Sequence, residues 1–201
     1  MERINLASKS PWRRKLLENA GISYDCIVTE VDETIRDNLP PAARVLALAA
    51  DKAKAAKALD LHVSNRLILA ADTLVCVPTA SSNGEELALG KPKDSADARR
   101  MICTRSGRSH IVRTGIALLD RDSGKLLSAR SDSTVTFAPM NEGEIEAYLD
   151  SGEWAGVAGG YRIQGVAAIF IDRLEGSWTG VVGLPMRELY VILLNADFRV
   201  P

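Results

Sequence analysis

Leu67-Ile68-Leu69-Ala70-Ala71-Asp72-Thr73 is the stretch that decides the fold. An unbroken apolar run without alternation is the pattern of a strand buried on both faces, which a sheet covered by helices on each side requires. Asp72 follows directly, at the carboxyl end of the run, where open α/β sheets gather the groups that meet a ligand. A carboxylate there costs free energy unless a cation or hydrogen bonds attend it. The competing reading is a turn aspartate that accepts backbone N–H groups, common at strand ends. Val75 to Val77 extends the strand beyond a kink.

Upstream of this strand, Pro40-Pro41 opens a helix that runs to Leu59. At about 100° per residue, Val45, Leu48, Ala49, Ala56 and Leu59 share one apolar stripe, and Lys52 falls in its middle. Lys54 and Lys57 project from other faces as solvated charges. Lys52 either snorkels at the helix edge or meets a buried anion, and periodicity leaves both open.

The chain opens with a short strand, Ile4–Ala7, that feeds Ser8-Lys9-Ser10-Pro11. Ser10 is an N-cap and Pro11 suits the first helical position, so a helix follows to Ala20, ended by Gly21. Hydroxyls, free amides and the positive end of the helix dipole, with Arg13 and Arg14 behind them, make this loop a candidate phosphate cradle. The plainer reading is a serine cap with surface arginines. Trp12 is either core packing or a ring that stacks on a base. Ser23 to Val28 reads as a second strand that closes on Val31-Asp32-Glu33, where the acidic pair is either a solvated turn or a set of metal ligands.

Downstream, Thr79 to Glu86 reads as an exposed hairpin or loop with an Asn83-Gly84 turn signal, leading to Leu89-Gly90-Lys91-Pro92. A Walker motif is rejected, because the stretch from Gly84 to Gly90 is too long for it and Pro92 replaces the hydroxyl. Lys91 is left as a cation held between Gly90 and Pro92, or as an ordinary loop lysine. Asp94 to Thr104 is helical. His110–Leu119 and Leu126–Phe137 form an antiparallel hairpin around Asp122-Ser-Gly-Lys125. Asn141 and Glu144 form a capping box for a helix that reaches Leu149. Gly152, Gly156, Gly159 and Gly160 then make a flexible connection to a buried strand, Val166–Ile171, and Gln164 lies on the approach to it, able to read a base edge or to satisfy backbone groups. A last helix begins near Pro185.

Composition sets the outer limits. The chain has 201 residues, 46% of them hydrophobic, and a net charge of −1. That describes one domain over residues 1–201, with no global field to draw nucleic acid or an anionic membrane. No apolar run is long enough for a membrane span and the start lacks a signal-peptide core, so a cytoplasmic protein is expected. Cys26, Cys76 and Cys103 read as reduced core residues, and two histidines exclude a histidine-rich metal site. A hard ion on carboxylates and phosphate stays allowed. Helices alternate with strands at the front and strands pair in the middle, which gives an α/β or α+β class with a mixed twisted sheet and flanking helices. No GxGxxG supports a dinucleotide.

Taken in order, Leu6-Ala-Ser-Lys-Ser-Pro-Trp-Arg-Arg14, Val31-Asp-Glu33, Asp51-Lys-Ala53, Ala71-Asp-Thr73, Gly90-Lys-Pro92, Ser106-Gly-Arg-Ser-His110, Tyr161-Arg-Ile-Gln-Gly165 and Val182-Gly-Leu-Pro185 resemble the Maf family of nucleoside triphosphate pyrophosphatases. The resemblance spans Leu6 to Leu189. It implies two lobes around a central cleft, similar to the inosine triphosphate pyrophosphatases, and water attack on the α-phosphorus that yields a monophosphate and pyrophosphate. The roles it implies are catalysis for Asp72, Lys52, Lys91 and Arg13, with Asp72 as proton acceptor or metal ligand. Ser8 and Gln164 would bind substrate, and Ser10, from the reading of the helix start, is a further candidate for it. Glu33 and Asp72 would hold a divalent cation, Mg²⁺ or alternatively Mn²⁺, and a homodimer is expected.

Three positions bear on the base. Thr73 and Gln164 resemble the family's dTTP/UTP branch, whereas Trp12 resembles its 7-methyl-GTP branch. The expected activity is therefore on dTTP and UTP or modified pyrimidine nucleotides, with 7-methyl-GTP as the alternative. A different class of reading is a nucleotide-binding regulator of cell division without turnover.

Overall fold

The computed structural model describes residues 2–59, 65–79 and 86–200. The chain divides into two compact units, residues 1–72, 114–131 and 183–201 in the first and residues 73–113 and 132–182 in the second. Among the described residues a mixed seven-stranded sheet with flanking helices is present in the order β2 (Tyr24–Ile27), β1 (Ile4–Ala7), β3 (Leu67–Pro78), β5 (Ser109–Asp120), β6 (Leu126–Phe137) and β7 (Ile171–Glu175), with β4 (Glu86–Leu89) paired to β3.

In the first unit, β1 (Ile4–Ala7) pairs in parallel with β2 (Tyr24–Ile27) and with β3 (Leu67–Pro78). Between β1 and β2 runs α1 (Pro11–Asn19), where the Ser10 side chain accepts the Arg13 N–H at 3.4 Å. α2 (Pro41–Ala58) precedes β3 and buries Val45, Leu48, Ala49, Ala53 and Ala56. Leu59, expected on the same stripe, lies just past the helix end and is 48% exposed. Ala49, Ala53 and Ala56 pack with Ala7, Ile27, Ile68, Ala70, Ala117 and Leu119 into a core of mostly small side chains that brings helix and sheet close. Gly115, in β5 (Ser109–Asp120), is where that approach is tightest, since a Cβ there would sit 2.5 Å from the Val45 carbonyl oxygen. α6 (Met186–Leu194) completes this unit.

β3 differs from expectation in one respect that matters for the site. It is a single strand without a break, so Asp72 is an interior residue rather than the strand's end. Its later half pairs antiparallel with β4 (Glu86–Leu89), Val75 opposite Leu89 and Pro78 opposite Glu86. The Asn83-Gly84 turn signal falls outside the described residues.

The second unit continues through α3 (Ser95–Arg105), capped by Asp94, and α4 (Glu142–Asp150). The capping box is present: the Asn141 Oδ1 accepts the Glu144 N–H at 3.0 Å and Glu144 Oε2 accepts the Asn141 N–H at 2.7 Å. β5 turns into β6 (Leu126–Phe137) with the Asp120 N–H donating to Lys125 O at 2.9 Å. Val75, Val77, Ile102, Val112, Phe137 and Tyr148 belong to the apolar core of this unit.

Two expectations fail here. The glycine-rich stretch after α4 is tied rather than loose: Tyr148 O–H donates to Gly160 O at 3.0 Å, Trp154 Nε1 to Leu149 O at 3.0 Å, and the Gly159 N–H to Gly90 O at 2.9 Å. The apolar run Val166–Phe170 is a 3₁₀ helix, and the strand, β7, is Ile171–Glu175, paired antiparallel with β6. Only Ala167 of that run is buried, while Ile169 is 75% exposed. The reason is local: the Glu153 carboxylate accepts the N–H groups of Val166 and Ala167, at 2.9 and 3.2 Å, and removes them from any ladder. α5 (Trp178–Val182), a short helix with no strong signal in sequence, leads out of the unit. Of the cysteines, all free, only Cys76 is buried; Cys26 and Cys103 are exposed, contrary to the core reading. No described helix is long and apolar enough to cross a membrane.

Candidate active site

Lys52 lies on α2 between the turns that bury Leu48 and Ala56, so its amine is delivered toward the sheet. Its side chain is 15% exposed, and Nζ lies 2.7 Å from Asp72 Oδ1 and 2.7 Å from Glu33 Oε1. The buried-anion reading therefore holds and the snorkelling one does not. Asp72 is the enclosed partner, with a side chain 7% exposed, and Glu33 the open one at 54%. Asp72 Oδ2 is buried and receives no hydrogen bond from the described residues. A buried acceptor without a donor is costly, so that oxygen is open to a hydrogen-bond donor, a water or a cation.

Glu33 is brought there by a 3₁₀ turn, Glu33–Arg36. The Asp32 side chain caps it, accepting from Thr34 N at 3.0 Å and Thr34 Oγ1 at 2.7 Å, so of the two acids only Glu33 reaches Lys52. Arg36 closes the other end with a bidentate pair on Asp51, Nε to Oδ2 at 2.7 Å and Nη2 to Oδ1 at 3.0 Å. Asp51 precedes Lys52 on α2, so this clamp fixes the turn to the helix that carries the lysine. Sequence reasoning missed it, since two charges 15 residues apart on unlike elements make no pattern.

The third wall is the β1–α1 loop. Ser8 is 8% exposed, and its Oγ accepts the Ser10 N–H at 3.2 Å and Arg13 Nη1 at 3.2 Å. Arg13 Nε donates to Gly183 O at 2.7 Å. Burial lowers the Arg13 guanidinium from its usual basicity, and the negative charges of Asp72 and Glu33 pull against that lowering. Arg13 is thus the inward arginine, and it shares the field of the two carboxylates. Trp12 stands on the same first turn, 38% exposed.

Ser8, Ser10, Trp12, Arg13, Glu33, Lys52 and Asp72 all belong to the first unit. Thr73, Lys91 and Gln164 belong to the second. Lys91 is exposed beside a buried Pro92, and Gln164 is half-buried. Among the described residues, no cluster of three or more His, Cys, Asp or Glu side chains forms a ready-made metal cage. Two oxygens do fit a hard cation that brings its own further ligands: the orphaned Asp72 Oδ2 and the open Glu33 carboxylate.

Fold and site together define an α/β protein in which a lysine bridges two carboxylates beside a serine- and arginine-bearing helix start, an arrangement suited to an anionic ligand with a hard cation. The chain belongs to the Maf family: the family model described as Maf-like protein matches residues 3–196. A protein of Treponema denticola named dTTP/UTP pyrophosphatase is 40% identical over 202 residues, covering 100% of both chains. A Chromobacterium violaceum protein of the same name is 42% identical over 201 residues, covering 99% of this chain and 97% of its own. One from Pelotomaculum thermopropionicum, also so named, is 40% identical over 200 residues with 100% of both covered. Among solved structures, the Staphylococcus aureus Ham1 protein matches at a TM-score of 0.39 and 14% identity, over 68% of this chain and 72% of that one, a likeness too slight to argue from.

Proposed function

We propose that this protein is a cytoplasmic pyrophosphatase that hydrolyses dTTP and UTP to the nucleoside monophosphate and pyrophosphate by attack of water on the α-phosphorus. The observation that carries the reading is the divided state of Asp72, one oxygen held by Lys52 and the other buried and unused. Relatives about 40% identical over the whole chain carry the matching name.

The chemistry rests on these groups. Asp72 Oδ2 accepts the proton of the attacking water while Lys52 keeps Oδ1 fixed, so the base points one way; positioned general bases contribute about 10²–10⁴-fold. Arg13 and the Ser8–Ser10 helix start bind phosphate oxygens through guanidinium, hydroxyl and free N–H groups. A bound Mg²⁺, or Mn²⁺ in its place, would be held by Glu33 and would supply further positive charge against the phosphates; in the alternative role Asp72 Oδ2 would share in holding the ion and orient the attacking water instead of taking its proton. Lys52 has a second role, because an ammonium between two carboxylates keeps them from repelling each other before substrate arrives. Lys91 adds charge for the phosphates, and Thr73 and Gln164 select the base.

The test is a turnover panel of dTTP, UTP, CTP, 7-methyl-GTP and the purine triphosphates with Mg²⁺, products separated, alongside Asp72→Asn. Pyrophosphate release confined to dTTP and UTP, and lost in the variant, is expected. A preference for 7-methyl-GTP would instead make the exposed Trp12 ring the base-selecting group. Nucleotide binding without turnover would make the protein a regulator.

A further inference from the structure

Gln164 occupies the third position of a tight turn closed by the Gly165 N–H donating to Arg162 O at 3.1 Å, and Ile163 beside it is buried. The backbone just past this turn is held by one side chain. Glu153 Oε1 accepts the Val166 N–H at 2.9 Å and Oε2 accepts the Ala167 N–H at 3.2 Å, so both carboxylate oxygens grip the backbone two and three residues beyond Gln164. Gly165 is shaped to this grip: a Cβ there would lie 1.7 Å from Glu153 Oε1. The carboxylate fills the space that any other residue would need. Glu153 is itself set firmly, with its N–H on Ser151 Oγ at 3.2 Å and the neighbouring Trp154 indole on Leu149 O at 3.0 Å.

We infer that Glu153 is a positioning residue for base selection, acting through the Gln164-Gly165 backbone. The inference rests on the reading of Gln164 as the residue that meets the base. A carboxamide distinguishes bases only if its distance from the ring edge is fixed, and a Gln side chain brings that precision only when its backbone is fixed first. The Gly165 turn closes one side and the Glu153 clamp the other. The oxygens of Glu153 are engaged by the Val166 and Ala167 N–H groups, so its loss acts on how well the correct base is held rather than on the chemical step.

The experiment compares Glu153→Ala, Glu153→Gln, Gly165→Ala, the double variant Glu153→Ala/Gly165→Ala and Gln164→Ala. Each is assayed for kcat and KM on dTTP and dATP, with hydrogen exchange read at the Val166 and Ala167 amides. The expected result for Glu153→Ala is faster exchange at those amides, a KM for dTTP raised about tenfold with kcat little changed, and a dTTP/dATP preference reduced as far as in Gln164→Ala. Glu153→Gln keeps one accepting oxygen and falls between. Gly165→Ala, which displaces an intact carboxylate, should reproduce Glu153→Ala, and the double variant should be no worse than either. If Glu153→Ala alone fails to fold, Glu153→Gln and Gly165→Ala carry the comparison. Faster exchange with an unchanged preference, while Gln164→Ala loses it, would make Glu153 merely structural and overturn the inference. An unchanged preference in Gln164→Ala would overturn the base-reading role of Gln164, and this inference with it.

Discussion

Lys52→Met keeps the length of the side chain and removes its charge, and the structure fixes what that costs. Of the two ion-pair arms, the one to Glu33 is half open to solvent and contributes about 0–1 kcal/mol. The arm to Asp72 is enclosed on both sides, and deleting one member of a buried pair costs about 3–5 kcal/mol, because the other charge is left without a partner. At roughly 2–4 °C per kcal/mol for a chain of this size, the two arms together should lower the melting temperature at pH 7 by about 6–24 °C. The deficit has a signature. Asp72 would be left with both oxygens unpaired, and removing its charge as well relieves the cost. Asp72→Asn placed on top of Lys52→Met should then cost almost nothing, although Asp72→Asn alone is destabilising, and the coupling between the two measures the buried pair. The assay is urea denaturation of the four proteins of that cycle at pH 7. A Lys52→Met protein within 1 kcal/mol of the parent, as an exposed pair would give, or zero coupling, would refute the claim that a buried ammonium organises this site.

Two further outcomes are expected. Gly115→Ala drives a methyl against the Val45–Leu46 backbone of α2, with contacts of 2.5–2.8 Å, so stability should fall by about 1–3 kcal/mol and turnover with it as the helix that carries Lys52 shifts; equal melting temperatures would show that β5 and α2 have room to part. His110 is buried against Tyr161, Nε2 to O–H at 2.7 Å, and burial first, then the Arg105 charge, push its pKa from 6.5 down to about 3. The unfolded imidazole therefore takes a proton that the folded one refuses: stability is full above pH 6.5 and is lost toward pH 3, at roughly 1.4 kcal/mol per pH unit, and His110→Gln should flatten that part of the stability curve measured by denaturation.

What the sequence disclosed and what it hid have separate physical causes. The Leu67–Ala71 run, the stripe on α2 and the Asn141/Glu144 box are local patterns, and each appears as a buried strand, a buried helix face and a paired cap. Lys52 was legible because a charge in the middle of an apolar stripe has few places to go. Local patterns also mislead. Val166–Phe170 has a strand's composition, but its N–H groups are taken by Glu153, 13 residues earlier, and no window of sequence reports that. Glu33 is similar: an acidic residue in a turn looks solvated until the Arg36–Asp51 pair ties that turn to the helix bearing Lys52. Arg105 and His110 obey the same rule. They are almost fully buried in an aromatic cluster with Phe137 and Tyr161, where the Arg105 guanidinium lies 5.2 Å from the Tyr161 ring centre, yet neither Arg105, at the end of α3, nor His110, at the end of the SGRSH segment that follows, stands out in sequence.

In the proposed function the buried Asp72 carboxylate directs water onto the α-phosphorus. The most direct test is hydrolysis of dTTP in ¹⁸O-labelled water with Mg²⁺, the label in each product read by mass spectrometry, with Asp72→Asn run beside the parent. One labelled oxygen in thymidine monophosphate, none in pyrophosphate, and a rate lowered at least a hundredfold in the variant are the predicted result. Label in pyrophosphate, or an Asp72→Asn protein as fast as the parent, would contradict the account.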